Sequence, residues 1–170
     1  YPPGSTFKTV VALAYIRNHP DWKDFTYDCK GTGMFHNNRI NCYGKKAHGK
    51  MTIEDAMAIS CNTTFAYLGT QLEVEELQQV SNSLLFNRSI NFPLSTKQSK
   101  FVLNQYSELW EIPQTAIGQG KTEITPLHNL MIFAAIANKG VMMEPYLLDH
   151  IVDSYGNVVE TFQPKVYKEE

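Results

Sequence analysis

Ser5 and Lys8 stand three residues apart in Gly4-Ser5-Thr6-Phe7-Lys8, at the head of a run that is apolar almost without break over 7–16. Residues at i and i+3 of a helix share a face, so the hydroxyl and the amine can meet. A serine hydroxyl becomes a strong nucleophile only when a base takes its proton. A lysine can be that base only when burial or nearby positive charge lowers its pKa. The apolar run would supply the burial, and free N–H groups at a helix start favour developing negative charge. By itself S-x-x-K also describes a helix cap followed by a surface lysine. A second serine and an amide, Ser60 and Asn62, flank Cys61. On one continuous helix these two would be poorly placed together, but in a short break between helices both can face one cleft. Ser60 could pass a proton between an amine and a leaving group, and Asn62, donor and acceptor at once, suits a peptide amide. Alone, Ser-Cys-Asn-Thr-Thr is equally an N-cap cluster.

These side chains need a frame. Pro2-Pro3-Gly4 predicts a turn, and residues 7–16, apolar on every face, predict a central buried helix that Asn18-His19-Pro20 ends. Residues 25–42 read as a weak β-hairpin and 44–50 as a loop. Thr52 and Asp55 resemble a capping box opening a helix over 53–59, broken at Ser60-Cys61-Asn62 and resumed to Leu68. Further helices are predicted over 74–85, 97–107 and 126–139, the last opened by Thr125-Pro126 and closed by Gly140. Its Met, Phe and Leu positions are assigned to the core, and His128 on it to packing or surface rather than catalysis. Strands over 146–153 and 158–162 flank the turn Ser154-Tyr155-Gly156-Asn157, and a polar tail follows.

A chain of 170 residues, 43% apolar, can bury a core of its own, which excludes disordered and collagen-like classes. Fifteen basic against seventeen acidic residues give a net charge of −2 with no basic stripe, so no nucleic-acid partner is expected. No apolar run approaches the ~18 residues of a membrane span. The first residue is Tyr, and charged residues are 19% of the chain, below the usual ~25%, so the chain reads as a soluble piece of something longer with a face that meets other protein. The cysteines are Cys29, Cys42 and Cys61, an odd number without C-x-x-C spacing. Cys29 and Cys42 flank the predicted hairpin, which permits a disulfide without requiring one. Cys29, His36, Cys42 and His48 are almost evenly spaced, but their gaps match no usual ligand spacing, so no metal is expected. Gly118-Gln119-Gly120 lacks the rest of a dinucleotide fingerprint. Trp22 and Trp110 carry no assignable role.

Together, Tyr1-Pro2-Pro3-Gly4-Ser5-Thr6-Phe7-Lys8 and Ser60-Cys61-Asn62 resemble the transpeptidase domain of penicillin-binding proteins. Cys29-Lys30-Gly31, His48-Gly49, Ile117-Gly118-Gln119-Gly120, Thr125-Pro126-Leu127 and Ala137-Asn138-Lys139-Gly140 extend the likeness over nearly the whole chain, in the family's order, toward the class B, high-molecular-weight type. The family's third element, Lys-Thr-Gly on an edge strand, is expected after a strand pair like 146–162 and is not found. Lys121-Thr122 is followed by Glu123 in a predicted loop and reads as a decoy. The resemblance implies an α+β fold: a mainly helical lobe with a few short strands and an incomplete central sheet. Residues 1–170 would be a single, partial transpeptidase domain, without the N-terminal strands and the Lys-Thr-Gly strand.

What the resemblance implies for function is a peptidoglycan D,D-transpeptidase acylated by β-lactams. Ser5 would attack the penultimate D-Ala carbonyl, Lys8 would be the general base, Ser60 would relay the proton to the departing D-Ala, and Asn62 would hold the substrate amide. No metal or organic cofactor is implied. The family's missing strand carries one oxyanion donor and the carboxylate site, and loss of one such donor costs about 10²–10³ in rate, so these residues alone are expected to be inactive. The implied partners are peptidoglycan stem peptides and β-lactam antibiotics, and an incomplete sheet could also pair with another copy. The implied location is the extracytoplasmic face of the bacterial cell membrane, through an anchor outside this chain. A Cys29–Cys42 disulfide would be permitted there. One alternative is a serine β-lactamase or β-lactam sensor. Against it, Cys61 stands where the class A type has Asp, Glu73-Val74-Glu75-Glu76-Leu77 does not match E-x-x-L-N, and Asn62 departs from the class D Ser-x-Val. The other is a non-catalytic structural or interaction module, against which Ser5, Lys8, Ser60 and Asn62 all speak.

Overall fold

The computed structural model describes residues 1–169. A 3-10 turn over Gly4–Phe7 runs directly into helix α1, Lys8–Asn18. As its all-round apolarity predicts, α1 lies in the core, with Val10, Val11, Ala12, Ala14 and Tyr15 buried, and it ends at His19. Phe7 ties the turn down. Its ring stacks on Phe101 at 6.0 Å and meets Phe86 edge-on at 5.9 Å.

Four short strands follow, β1 (Tyr27–Cys29), β2 (Thr32–Phe35), β3 (Asn38–Asn41) and β4 (Gly49–Met51). β2 and β3 form the expected hairpin, while β1 pairs antiparallel with β4, which falls in the stretch read as a loop. Thr52 and Asp55 make the capping box in full and open α2, Ile53–Ala58. After a break, α3 (Asn62–Thr70) packs between α1 and α5 (Glu111–Ala116), and α4 (Val74–Ser83) lies against α1. Helix α6 runs Pro126–Ala137, its N-cap Thr125 accepting from the His128 amide.

Three expectations are corrected. Residues 97–107 are not helical: Ser99, Phe101 and Leu103 are buried and Lys100 exposed, a period of two. The Asn87 amide takes both backbone bonds of Phe101, and Lys100 bridges Glu123 instead. On α6, Met131 and Ile132 are buried, but Leu130, Phe133 and Ile136 face outward. The polar tail contains a strand: β8 (Val166–Glu169) pairs with β5 (Val141–Met143), beside the expected hairpin of β6 (His150–Val152) and β7 (Val158–Thr161). The result is the expected α+β arrangement, a helical lobe with four two-stranded sheets and no larger one among the described residues. No helix there is long and apolar enough to cross a membrane.

Candidate active site

Lys8, the first residue of α1, is wholly buried. Its Nζ lies 3.3 Å from Ser5 Oγ, 2.9 Å from Ser60 Oγ, 2.7 Å from the Ser60 carbonyl and 2.7 Å from Asn62 Oδ1. Ser60 Oγ is 2.9 Å from Ser5 Oγ, and Asn62 Nδ2 donates to the Asn41 carbonyl on β3 at 2.9 Å. The four residues singled out from two distant segments therefore meet around one amine. Burial lowers that amine from 10.5 to about 8, against the opposing pull of the Cys61 and Cys42 thiols. A protonated Lys8 has three N–H donors, which Ser60 O, Ser60 Oγ and Asn62 Oδ1 can take up. Neutral, it keeps two donors and offers a lone pair to the Ser5 hydroxyl. One set of contacts thus serves both protonation states.

Two backbone devices hold this geometry. Ser60 has φ of 55°, a left-handed conformation uncommon for a residue with a Cβ. It turns the chain between α2 and α3 so that the Ser60 carbonyl and hydroxyl both reach Lys8. Cys61 is extended, so Ser60 and Asn62 point to one side and Cys61 to the other. The second device is Gly118. Gly4 donates its amide to the Gly118 carbonyl at 2.8 Å, and a Cβ on Gly118, whose φ is 73°, would run into the Gly4 carbonyl. The Ile117-Gly118-Gln119-Gly120 stretch thus braces the turn that carries Ser5.

Behind the turn, Cys61 meets Cys42, Cys29 and His48. The Cys29–Cys42 and Cys42–Cys61 sulfurs are each 3.6 Å apart, and Cys29 Sγ is 3.4 Å from His48 Nδ1. All three cysteines are buried free thiols, so the permitted Cys29–Cys42 disulfide is not formed. Burial pushes the Cys29 thiol up, but hydrogen bonds from Thr63 and from the Gly31 and His48 amides outweigh it and bring it to about 6. Burial raises Cys61. These four are the soft ligand atoms that converge among the described residues. The even spacing in sequence pointed to His36 rather than Cys61. His36 instead sits exposed at the β2–β3 turn with φ of 45°. Elsewhere, Lys121 is ion-paired with Glu111 at 2.6 Å and Thr122 is buried, as suits a structural loop. His128 is buried against Phe86, its Nε2 2.6 Å from the Leu84 carbonyl.

A family model described as the penicillin binding protein transpeptidase domain matches residues 1–170. Stage V sporulation protein D of Bacillus subtilis is 29% identical over 157 residues, covering 90% of this chain and 24% of its own. Peptidoglycan D,D-transpeptidase PbpA of Mycolicibacterium smegmatis is 27% identical, covering 89% of this chain and 31% of its own. The chain therefore spans about a quarter to a third of these relatives. Among solved structures, the D,D-transpeptidase domain of a peptidoglycan glycosyltransferase from Eggerthella lenta superposes with a TM-score of 0.85 at 30% identity, over 99% of this chain and 44% of that one. The penicillin G acyl-enzyme complex of penicillin-binding protein A from M. tuberculosis superposes with a TM-score of 0.85 at 26% identity, over 99% of this chain and 40% of that one.

Proposed function

This chain belongs to the penicillin-binding protein transpeptidase family, and from that premise we propose that it is part of a peptidoglycan D,D-transpeptidase in which Ser5 is the nucleophile. The observation that carries the reading is Lys8: a wholly buried amine at 3.3 Å from one serine hydroxyl and 2.9 Å from a second, lowered to about 8 by burial. That is a base poised near the working pH and in reach of the proton it must take.

Neutral Lys8 accepts the Ser5 proton as Ser5 Oγ bonds to the penultimate D-Ala carbonyl carbon. The Ser5 amide donates to the oxyanion that forms. The carbonyl re-forms as the C–N bond breaks, and the proton passes from Lys8 through Ser60 Oγ to the departing D-Ala amine. An amine of a neighbouring stem peptide then attacks the Ser5 ester, loses its proton through the same pair and returns it to Ser5 Oγ. Asn62 keeps Nδ2 on the Asn41 carbonyl and Oδ1 on Lys8, fixing the amine and offering its edge to the substrate amide. A β-lactam carbonyl enters the first half of this sequence and stops at the ester. The protein so formed works in cell-wall synthesis outside the cytoplasmic membrane.

The test is intact-mass spectrometry after incubation with benzylpenicillin. A longer chain that adds a Lys-Thr-Gly strand is expected to gain one penicilloyl group, lost in Ser5→Ala. Residues 1–170 contain no Lys-Thr-Gly triplet, and on their own they are expected to gain none. An adduct that survives Ser5→Ala, or a longer folded chain that takes none, would overturn the assignment.

A further inference from the structure

We infer that the outward stripe Arg39, Asn41 and Tyr43, along β3 and its continuation, is the acceptor subsite of the cleft, and that its ligand is a carboxylate-bearing stem peptide. Such a subsite presupposes the transpeptidase reading of the same cleft and adds the wall on which the second substrate lies.

The register of the hairpin sets the direction of this wall. Phe35 and Asn38 close a two-residue turn at His36 and Asn37, whose φ of 45° and 62° are those of a type I′ turn. Hydrogen-bonded pairs then alternate with open ones, and the Cys42 amide, donating to the Gly31 carbonyl at 2.9 Å, marks the even residues of β3 as the bonded set. The N–H and C=O groups of Arg39 and Asn41 therefore point away from β2. The Asn41 carbonyl shows where they point: it accepts from Asn62 Nδ2 at 2.9 Å, and Asn62 holds Lys8. β3 thus turns its open edge to the active site, with Arg39 two residues, or about 6.8 Å, further along it.

The side chains separate with the same period of two. Ile40 and Cys42 are buried, while Arg39, Asn41 and Tyr43 are exposed, Tyr43 at 98%. Tyr43 opens the turn Tyr43–Lys45, which is braced from behind: a Cβ on Gly31 would run into the Lys45 carbonyl. A ring held in water beside a cleft offers a flat apolar face to a ligand.

Charge selects that ligand. Residues 29–53 contain no Asp or Glu but five cations, Lys30, Arg39, Lys45, Lys46 and Lys50, in a chain of net charge −2. Lys30 pairs with Asp28 at 2.6 Å, and the other four have no ion-pair partner among the described residues. A free guanidinium takes a carboxylate through two parallel hydrogen bonds. The acceptor amine gives its proton to the Lys8–Ser60 pair, so it enters beside Ser60, two residues from Asn62. A stem peptide lying along β3 brings its amine to that pair and a carboxylate to Arg39.

A longer chain that includes a Lys-Thr-Gly strand is acylated with a D-alanyl thioester and offered N-acetyl tripeptides ending in a diamino acid, lysine or diaminopimelate. Each is supplied with free carboxylates and with the carboxylates amidated, and mass spectrometry measures the transfer product per acylated chain. Arg39→Gln is expected to raise the acceptor KM of the carboxylate peptides by about tenfold, and not that of the amidated ones. Arg39→Lys should restore part of the difference, and Tyr43→Ala should raise KM for both kinds. Equal losses for both kinds in Arg39→Gln, or a wild-type KM in Arg39→Gln, would overturn the subsite while the Ser5 acyl-enzyme stands. A longer folded chain that forms no acyl-enzyme would overturn the transpeptidase reading and the subsite with it.

Discussion

Two polar clusters lie back to back across three residues, and they are organised differently. On the front, Ser60 and Asn62 join Ser5 around the Lys8 amine through hydrogen bonds of 2.7–3.3 Å. On the back, Cys61 joins two thiols and an imidazole at 3.4–3.6 Å. The front cluster is complete with protein groups alone, because oxygen and nitrogen make strong hydrogen bonds and Lys8 has a partner for every proton. The back cluster is held by weak thiol contacts and by hydrogen bonds that Thr63 and Thr64 donate to the Cys29 and Cys61 sulfurs. Only the alternation of an extended segment lets one turn serve both.

The largest effect is expected on the front. Lys8→Arg puts a group that cannot deprotonate in the base's place, and acylation of a Lys-Thr-Gly-containing chain should fall by about 10²–10⁴. Stopped-flow acylation by a chromogenic cephalosporin measures this, and a loss under tenfold would remove Lys8 from its role.

Next is the brace behind the nucleophile. Gly118→Ala should cost at least about 1–3 kcal/mol from its left-handed backbone alone, with more from the collision with Gly4. Denaturant unfolding and acylation should both suffer. Unchanged acylation would mean that Ser5 does not need this brace.

Cys61→Ala tests whether the clusters are joined. Acylation should fall by less than in Lys8→Arg, because Ser60 and Asn62 remain but their turn loosens. If acylation does not move, the back of the turn has no bearing on the front.

The smallest effect is a shift in pH. Lys8 is held at about 8, and its neutral form is the base, so acylation should rise with pH and level off above about 8. In Asn62→Asp a carboxylate replaces the carbonyl oxygen 2.7 Å from Nζ. An anion favours the ammonium, so the profile should move to higher pH. A shift to lower pH would contradict the charge assignment.

Much of the front was legible in sequence because its pieces are local. Ser5 and Lys8 needed only the i to i+3 step of a helical start, and Ser60 and Asn62 only a break between two apolar helices. Thr52 with Asp55 and Thr125-Pro126 marked helix starts correctly, since caps are satisfied within four residues. The stretch 97–107 misled because Phe101 and Leu103 fit a helix as well as a strand by composition. Its pairing with Asn87 and Glu123 lies elsewhere in the chain. β4, β5 and β8 escaped notice for the same reason, being three or four residues long with distant partners, while β1 fell inside the stretch read as a hairpin but pairs with β4.

The sequence by itself determined the helices, their caps, the two short motifs and the family they resemble, because each rests on neighbours along the chain. Only the tertiary structure decided that Lys8 is wholly enclosed, that Ser60 takes a left-handed turn, that Gly118 abuts Gly4, and that Cys61 rather than His36 completes the thiol cluster. Those outcomes depend on which distant segments share a space, and contacts between segments tens of residues apart leave no spacing in the sequence to read.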